Sequence, residues 1–272
     1  MKIYISVDME GLWGVSTKEQ VIKGNPEYEH ARKLMASEVT LITDILFEQG
    51  IETIVVNDAH GSMDNLLIDQ LDSRVSLIHG KHKPRSMMQG LNEQFDGIFL
   101  IGYHAKANTK GILAHTYASS IFHEIKINDK SYGESGLNAL YAGTFNVPVI
   151  GISGDDVLAG QIKEEVGDIP FCQVKTAHSL ESATHVAKDE LENHYRNMLN
   201  EAIKSISAFK ASVLSTAEDA EITFKSPLQA LKGSDLEGCR QVSGNTLQVD
   251  INHFETFYQK LLTMINICKK VG

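Results

Sequence analysis

Between Gly97 and Tyr103 the chain reads G-I-F-L-I-G-Y, with no charged side chain before His104. A strand with one solvated face alternates apolar and polar residues. An unbroken apolar run of this length belongs to a strand buried on both faces, the signature of a parallel sheet covered by helices. Val147–Ser153 repeats the pattern, Lys2–Val7 is a third apolar strand, and Ile51–Asn57 is rich in β-branched residues. Helical stretches lie between them. Tyr28–Gln49 follows Pro26 and stops at Gly50, Pro84 opens a helix to about Phe95, Ser135–Phe145 forms another, and Asp155 and Asp156 open the next. A short helix near Asn65–Leu71 and a strand at Val75–Ile78 are also expected. This alternation predicts an α/β fold, a mainly parallel sheet flanked by helices. A hairpin over Ile121–Tyr132 turns at Asn128-Asp129, and a long helical stretch, Glu181–Ile206, follows. From about Ala211 the order is strand, short helix, hairpin and final helix (Phe254–Lys269), a smaller C-terminal α+β module. The expected division is 1–207 and 208–272, acting as one functional unit.

Composition narrows the function classes. At 42% hydrophobic and 22% charged residues, the 272-residue chain can bury a real core. A formal net charge of −10 argues against nucleic acid, which needs a concentrated basic face, and gives no support for an anionic membrane. Asp8 and Glu10 interrupt the first apolar stretch, so it does not read as a secretory signal, and the longest apolar runs are too short to span a bilayer. Cys172, Cys239 and Cys268 are widely spaced and odd in number, as suits reduced thiols. A cytoplasmic protein is the expectation.

The ionisable residues gather where strands end. Asp8 and Glu10 follow the first strand, Asp58 and His60 the second, and His104 the long apolar run. Ligands of an open parallel sheet bind outside the carboxyl ends of its strands, so these groups converge on one crevice. Residues two apart in extended chain face the same way, so each pair presents two groups to one point. Carboxylates mixed with imidazoles suit zinc or a similar divalent ion, and a carboxylate pair can bridge two of them. Taken singly, each of these groups also fits a cap, a turn or a satisfied polar residue.

Five segments in order carry a resemblance: S-V-D-M-E-G at Ser6–Gly11, V-N-D-A-H at Val56–His60, G-Y-H-A at Gly102–Ala105, A-H-T at Ala114–Thr116, and G-E-S-G-L-N-A at Gly133–Ala139. Together they resemble the zinc-dependent D-aminopeptidase family of the dipeptide-operon type, over about the first 155 residues most closely. The resemblance implies two zinc ions per subunit, other divalent metals being possible. Asp8 would bridge them, with Glu10 and His60 on one ion and His104 and Glu134 on the other. It implies His115 as the catalytic histidine, described as a nucleophile; by chemistry alone an imidazole there also serves as base or acid. It further implies a short peptide substrate such as D-Ala-D-Ala and a homo-oligomer, a decamer of two stacked five-membered rings. The sequence departs from the family at Leu12-Trp13-Gly14 and in having A-H-T where S-H-S is usual.

Other readings remain open at this point. Cell-wall peptide fragments or L-peptides are alternative substrates. A two-metal phosphoester hydrolase is disfavoured by the absence of a Gly-rich phosphate loop and by only five arginines, Arg32, Arg74, Arg85, Arg196 and Arg240. A non-catalytic ring that binds peptide or metal is the third. Asp155 and Asp156 are candidates for holding the substrate amine, against their plainer role as helix caps.

Overall fold

The computed structural model describes residues 1–214 and 219–269; residues 215–218, within the tail expected from Ala211, and 270–272 lie outside the described residues. In chain order the elements begin with β1 (Lys2–Val7), α1 (Lys18–Val21), α2 (Pro26–Glu48), β2 (Thr53–Asp58), β3 (Val75–Ile78) and β4 (Gly97–Ile101). There follow β5 (Phe122–Ile127), β6 (Lys130–Ser131), α3 (Glu134–Gly143), β7 (Val149–Asp155), α4 (Asp156–Glu165), β8 (Phe171–Ser179) and β9 (Ser182–His185). The chain continues through α5 (Lys188–Lys204), β10 (Asp219–Phe224), α6 (Pro227–Gly233), β11 (Cys239–Gln241), β12 (Thr246–Asp250) and α7 (Phe254–Cys268).

Seven strands form one sheet in the order β3-β2-β1-β4-β7-β8-β9, parallel except for the β8–β9 hairpin. The chain builds outward from β1 to β3 and then returns to place β4 on the other side of β1. That reversal opens a crevice at the carboxyl ends of β1 and β4, where α/β sheets bind ligands. Side chains of the central strands divide with period two. Ile3, Ile5 and Val7 face the layer of α2 and α5 (Met35, Val39, Tyr195, Leu199), whereas Tyr4, Ile98 and Leu100 face the opposite layer of α3, α4 and α7. Both faces are therefore covered, which is why the long apolar run needs no alternation. Each such Ile or Leu contributes about 1.5–3 kcal/mol of burial.

The second sheet is antiparallel, ordered β11-β12-β10-β5-β6. It pairs strands from both sides of the division expected at 207/208. Helix α7 ties it to the main body: the rings of Tyr258 and Tyr141, on α3, stack 4.4 Å apart.

Three stretches differ from the sequence expectation. Pro84 to Phe95 holds a single 3-10 turn, Ser86–Met88, because Ser86 (φ +49°) and Gly90 (φ +86°) both leave the helical region. The Asn65–Leu71 region likewise keeps one turn, Ile68–Gln70. Residues Ser182–His185, expected to be helical, instead pair with β8, and the helix starts at Lys188.

Candidate metal centre

Four element ends deliver the site. Asp8 and Glu10 leave β1, His60 follows β2, His104 follows β4, and Glu134 is the first residue of α3. Pairing between β1 and β4 runs on past the strands, with Asp8 N donating to Ile101 O (2.8 Å) and Gly11 N to Gly102 O (2.7 Å). The crossing there is tight enough to require glycine. A Cβ on Gly11 would lie 1.8 Å from Tyr103 O, and one on Gly102 (φ +67°) 2.3 Å from Asp8 O. Asp8, Glu10, His60, His104 and Glu134 are all buried, at most 7% exposed. All but His104 border a cavity of about 240 Å³, of which His115 and Tyr117 also form the wall.

Each imidazole is anchored by one nitrogen and presents the other to carboxylates. His60 Nε2 donates to Val21 O (2.8 Å), leaving Nδ1 at 3.1 Å from Asp8 Oδ1 and 2.9 Å from Glu10 Oε2. His104 Nδ1 donates to Ala105 O (3.0 Å), leaving Nε2 3.5 Å from Asp8 Oδ2 and 3.4 Å from Glu134 Oε1. His115 Nδ1 donates to Leu113 O (2.9 Å), with Nε2 3.6 Å from Glu134 Oε1. A backbone carbonyl that fixes the tautomer of an imidazole is what metal-binding histidines commonly have behind them. His104 Nε2 is buried without a hydrogen-bond partner, a costly state unless a cation meets it. The donor set therefore fits metal. Among the described residues, His104, His115 and Glu134 form one cluster able to hold an ion, and Asp8, Glu10 and His104 another.

The electrostatics agree. Burial and the neighbouring Glu10 charge push Asp8 up to about 7. Burial opposes charge on Glu10, but the adjacent His60 outweighs it and holds that carboxyl well below the usual range. Burial likewise disfavours a charged His104, and Glu134 overrides it, pushing the imidazole up to about 10. Burial and the His104 ring, stacked 4.1 Å away, push His115 down, which keeps it neutral and able to accept a proton. Three buried carboxylates packed this closely attract positive charge whether it arrives as protons or as metal ions.

The supporting shell is polar and satisfied. Glu134 begins α3, where the helix dipole favours a negative charge, and its Oε1 accepts from Tyr117 N (2.6 Å). Leu113 (φ +50°) and Tyr117 (φ +54°) flank His115 in left-handed backbone, at a cost of about 1–2 kcal/mol each. Asn138 links the hydroxyls of Tyr103, Tyr117 and Tyr258 beneath the cavity.

Lys175, on β8, was not singled out in the sequence. Fully buried, its ammonium donates to Glu10 O (2.6 Å), Leu12 O (2.9 Å) and Val15 O (2.6 Å), pinning the loop that carries Glu10. No spacing signal marks it, since its partners are main-chain oxygens about 160 residues away.

Other residues from the sequence reading lie apart. Asp58 does not join His60 at the cavity. Its carboxylate accepts from Asn65 N (2.6 Å), Leu66 N (2.8 Å) and Asn65 Nδ2 (2.7 Å), stapling the loop after His60. Asp155 caps α4, accepting from Leu158 N (2.8 Å) and also from Ile112 N (2.7 Å), while Asp156 accepts from Ala177 N (2.7 Å). Trp13 Nε1 donates to Val186 O (2.7 Å).

Comparisons with known proteins give the family. Residues 1–263 match the model of Peptidase M55, described as D-aminopeptidase. The chain belongs to this D-aminopeptidase family. A D-aminopeptidase of Bacillus subtilis (strain 168) is 39% identical over 175 residues, 64% of each protein, so the aligned stretch spans just under two thirds of that relative. The solved structure of the Zn-dependent D-aminopeptidase DppA from Bacillus subtilis, a self-compartmentalizing protease, superposes with a TM-score of 0.94 at 30% identity, covering 99% of this chain and 98% of that one. Membership of the D-aminopeptidase family thus extends well past the first 155 residues. Among the described residues no helix is long and apolar enough to cross a membrane.

Proposed function

We propose that the chain is a zinc-dependent aminopeptidase that removes the N-terminal residue of short D-amino-acid peptides, such as D-Ala-D-Ala, at a dinuclear site. One observation carries this reading. The two oxygens of Asp8 face different imidazoles, Oδ1 toward His60 and Oδ2 toward His104, each accompanied by a second carboxylate. Asp8 would bridge two ions, one completed by Glu10 and His60 and the other by His104 and Glu134. The relatives' D-aminopeptidase activity and the zinc dependence of DppA support the substrate class and the metal.

When bound, zinc at this centre supplies Lewis acidity to the scissile carbonyl and lowers the pKa of water to about 7. The chain's own residues do the rest. His115, its Nδ1 fixed by Leu113 O and its side chain 20% exposed, offers a free Nε2 at the cavity wall. There it takes a proton from the attacking group and returns it to the leaving amine. His115 as nucleophile uses the same lone pair. Its place beside His104 and Glu134 favours a second reading, His115 as a metal ligand, which zinc content after His115→Ala separates: unchanged for a proton carrier, reduced for a ligand. The description of DppA as self-compartmentalizing supports a closed homo-oligomer, proposed here as a decamer of two stacked five-membered rings. Light scattering should then report ten times the chain mass.

The test is alanine release from D-Ala-D-Ala and L-Ala-L-Ala by zinc-loaded protein. D-peptide cleavage that stops with a chelator and returns with zinc is expected. Cleavage of the L-peptide alone would overturn the D-specificity, and cleavage of neither would overturn the aminopeptidase reading.

A further inference from the structure

Beside the metal cavity lies a second, of about 440 Å³. The two are contiguous: Gly61, Met63, Ser86, Ile265 and Lys269 line both. The wall of the larger one carries Lys81, His82, Lys83 and Lys269 and, among the described residues, not one Asp or Glu. That is notable in a chain where 35 acidic residues outnumber 25 Lys and Arg. A cavity that gathers cations within an acidic protein is suited to an anion.

These cations are not equivalent. Lys83 is occupied by the fold, its Nζ donating to Asn57 Oδ1 (2.7 Å), Asp58 O (2.6 Å) and Ile78 O (3.0 Å). That clamp fixes a loop whose His82 (φ +59°) and Ser86 (φ +49°) sit in left-handed backbone. Lys81 and Lys269 are exposed and form no ion pair among the described residues. Asp64, whose carboxylate feels Lys81, is already bound by Lys23 at 2.7 Å. Two ammonium groups are thus left for a ligand, and Lys269 stands on the wall shared with the metal centre.

Resting on the aminopeptidase reading above, we infer that this outer cavity is a carboxylate subsite holding the C-terminus of the peptide, with Lys269 as its principal cation and Lys81 as its second. The one fixed anion of a short peptide is its C-terminal carboxylate, and in aminopeptidase cleavage the leaving fragment carries it. Extended chain advances about 3.3–3.6 Å per residue. A scissile carbonyl at the metal centre therefore sends a dipeptide's carboxylate toward the shared wall, and a tripeptide's into the outer cavity. The subsite restricts substrates to short peptides with a free C-terminus. Lys269 acts by binding, so its loss falls on KM more than on kcat.

The experiment compares kcat/KM for D-Ala-D-Ala and its C-terminal amide, at low and high salt, in wild type, Lys269→Met, Lys269→Arg and Lys81→Met. Wild type should prefer the free acid by about tenfold or more, the worth of one charge-assisted hydrogen bond, and less at high salt. Lys269→Met should bring the acid-to-amide ratio close to one, Lys269→Arg should keep most of it, and Lys81→Met should lower it less. Equal wild-type rates on acid and amide, or an undiminished ratio in Lys269→Met, would overturn the subsite while leaving the aminopeptidase reading intact. Cleavage of neither compound would overturn that reading and the subsite with it.

Discussion

Two buried charged clusters meet the loop after β1 a few residues apart, one contacting it from β8 and α2, and they are built on opposite principles. Around Lys175 and Glu38 every polar atom is answered by the protein. The lysine has three carbonyls, and Glu38 accepts from Trp13 N (3.0 Å) and from the Tyr195 hydroxyl, which also lies 3.1 Å from Ser153 Oγ. Around Asp8 three carboxylates face the inward nitrogens of three imidazoles, one of which, His104 Nε2, has no hydrogen-bond partner. A buried cluster satisfied from within is scaffold. One whose lone pairs converge is completed only by a cation, and the contrast separates structural from functional charge without reference to either one's position in the sequence.

The contrast breaks most visibly if a substitution in the unsatisfied cluster leaves activity alone. Asp8→Ala should lower kcat/KM for D-Ala-D-Ala by about a thousandfold or more, the scale of losing several kcal/mol of metal-supplied stabilisation. Compared in metal-free protein, its thermal stability should barely fall, because removing one of three crowded carboxylates relieves repulsion. Lys175→Met should do the reverse. Leaving three buried carbonyls without their donor should destabilise the fold by about 3–5 kcal/mol in urea denaturation, and activity should follow the folded fraction.

Glu38 sharpens the same comparison through pH. Burial pushes its carboxyl up to about 7 from an ordinary 4.5, outweighing its hydrogen bonds to Tyr195 and Trp13 and the charge of Lys175. The folded chain therefore keeps a proton that the unfolded chain releases. That stability is complete below about pH 4.5 and lost as pH rises through about 7, up to about 3 kcal/mol in all. Denaturant midpoints measured from pH 4.5 to 8 should show this decline in wild type and a flatter profile in Glu38→Gln. The smallest effect belongs to Asp155. Alanine there removes the cap of α4 and a partner of Ile112 N, a loss of about 1–2 kcal/mol with metal content unchanged.

The sheet was legible in the sequence because its strands are buried on both faces, and burial leaves a pattern that local reading detects. Asp8, Glu10, His60 and His104 were legible for a related reason: ionisable residues placed straight after such strands have one crevice to enter. Glu134 carries no such mark. It opens a helix rather than closing a strand, so only resemblance to a known family pointed to it, and the same holds for His115. Asp58 was misgrouped with His60 because period-two geometry ends with the strand, and β2 ends at Asp58. The hairpin of β8 and β9 was missed since Phe171–Ser179, F-C-Q-V-K-T-A-H-S, buries a lysine and exposes its far half, so neither apolar run nor alternation survives. Lys175 is both the cause of that failure and the residue that holds the Glu10 loop. Its meaning depends on carbonyl positions that exist only once the chain has folded.

The central claim is a two-ion centre bridged by Asp8, and zinc content per chain after exhaustive dialysis tests it most directly. Two zinc ions in the wild type, about one in His60→Ala, and loss of both in Asp8→Ala are the expected results. A wild type that holds a single ion or none, or an Asp8→Ala variant that still holds two, would contradict it.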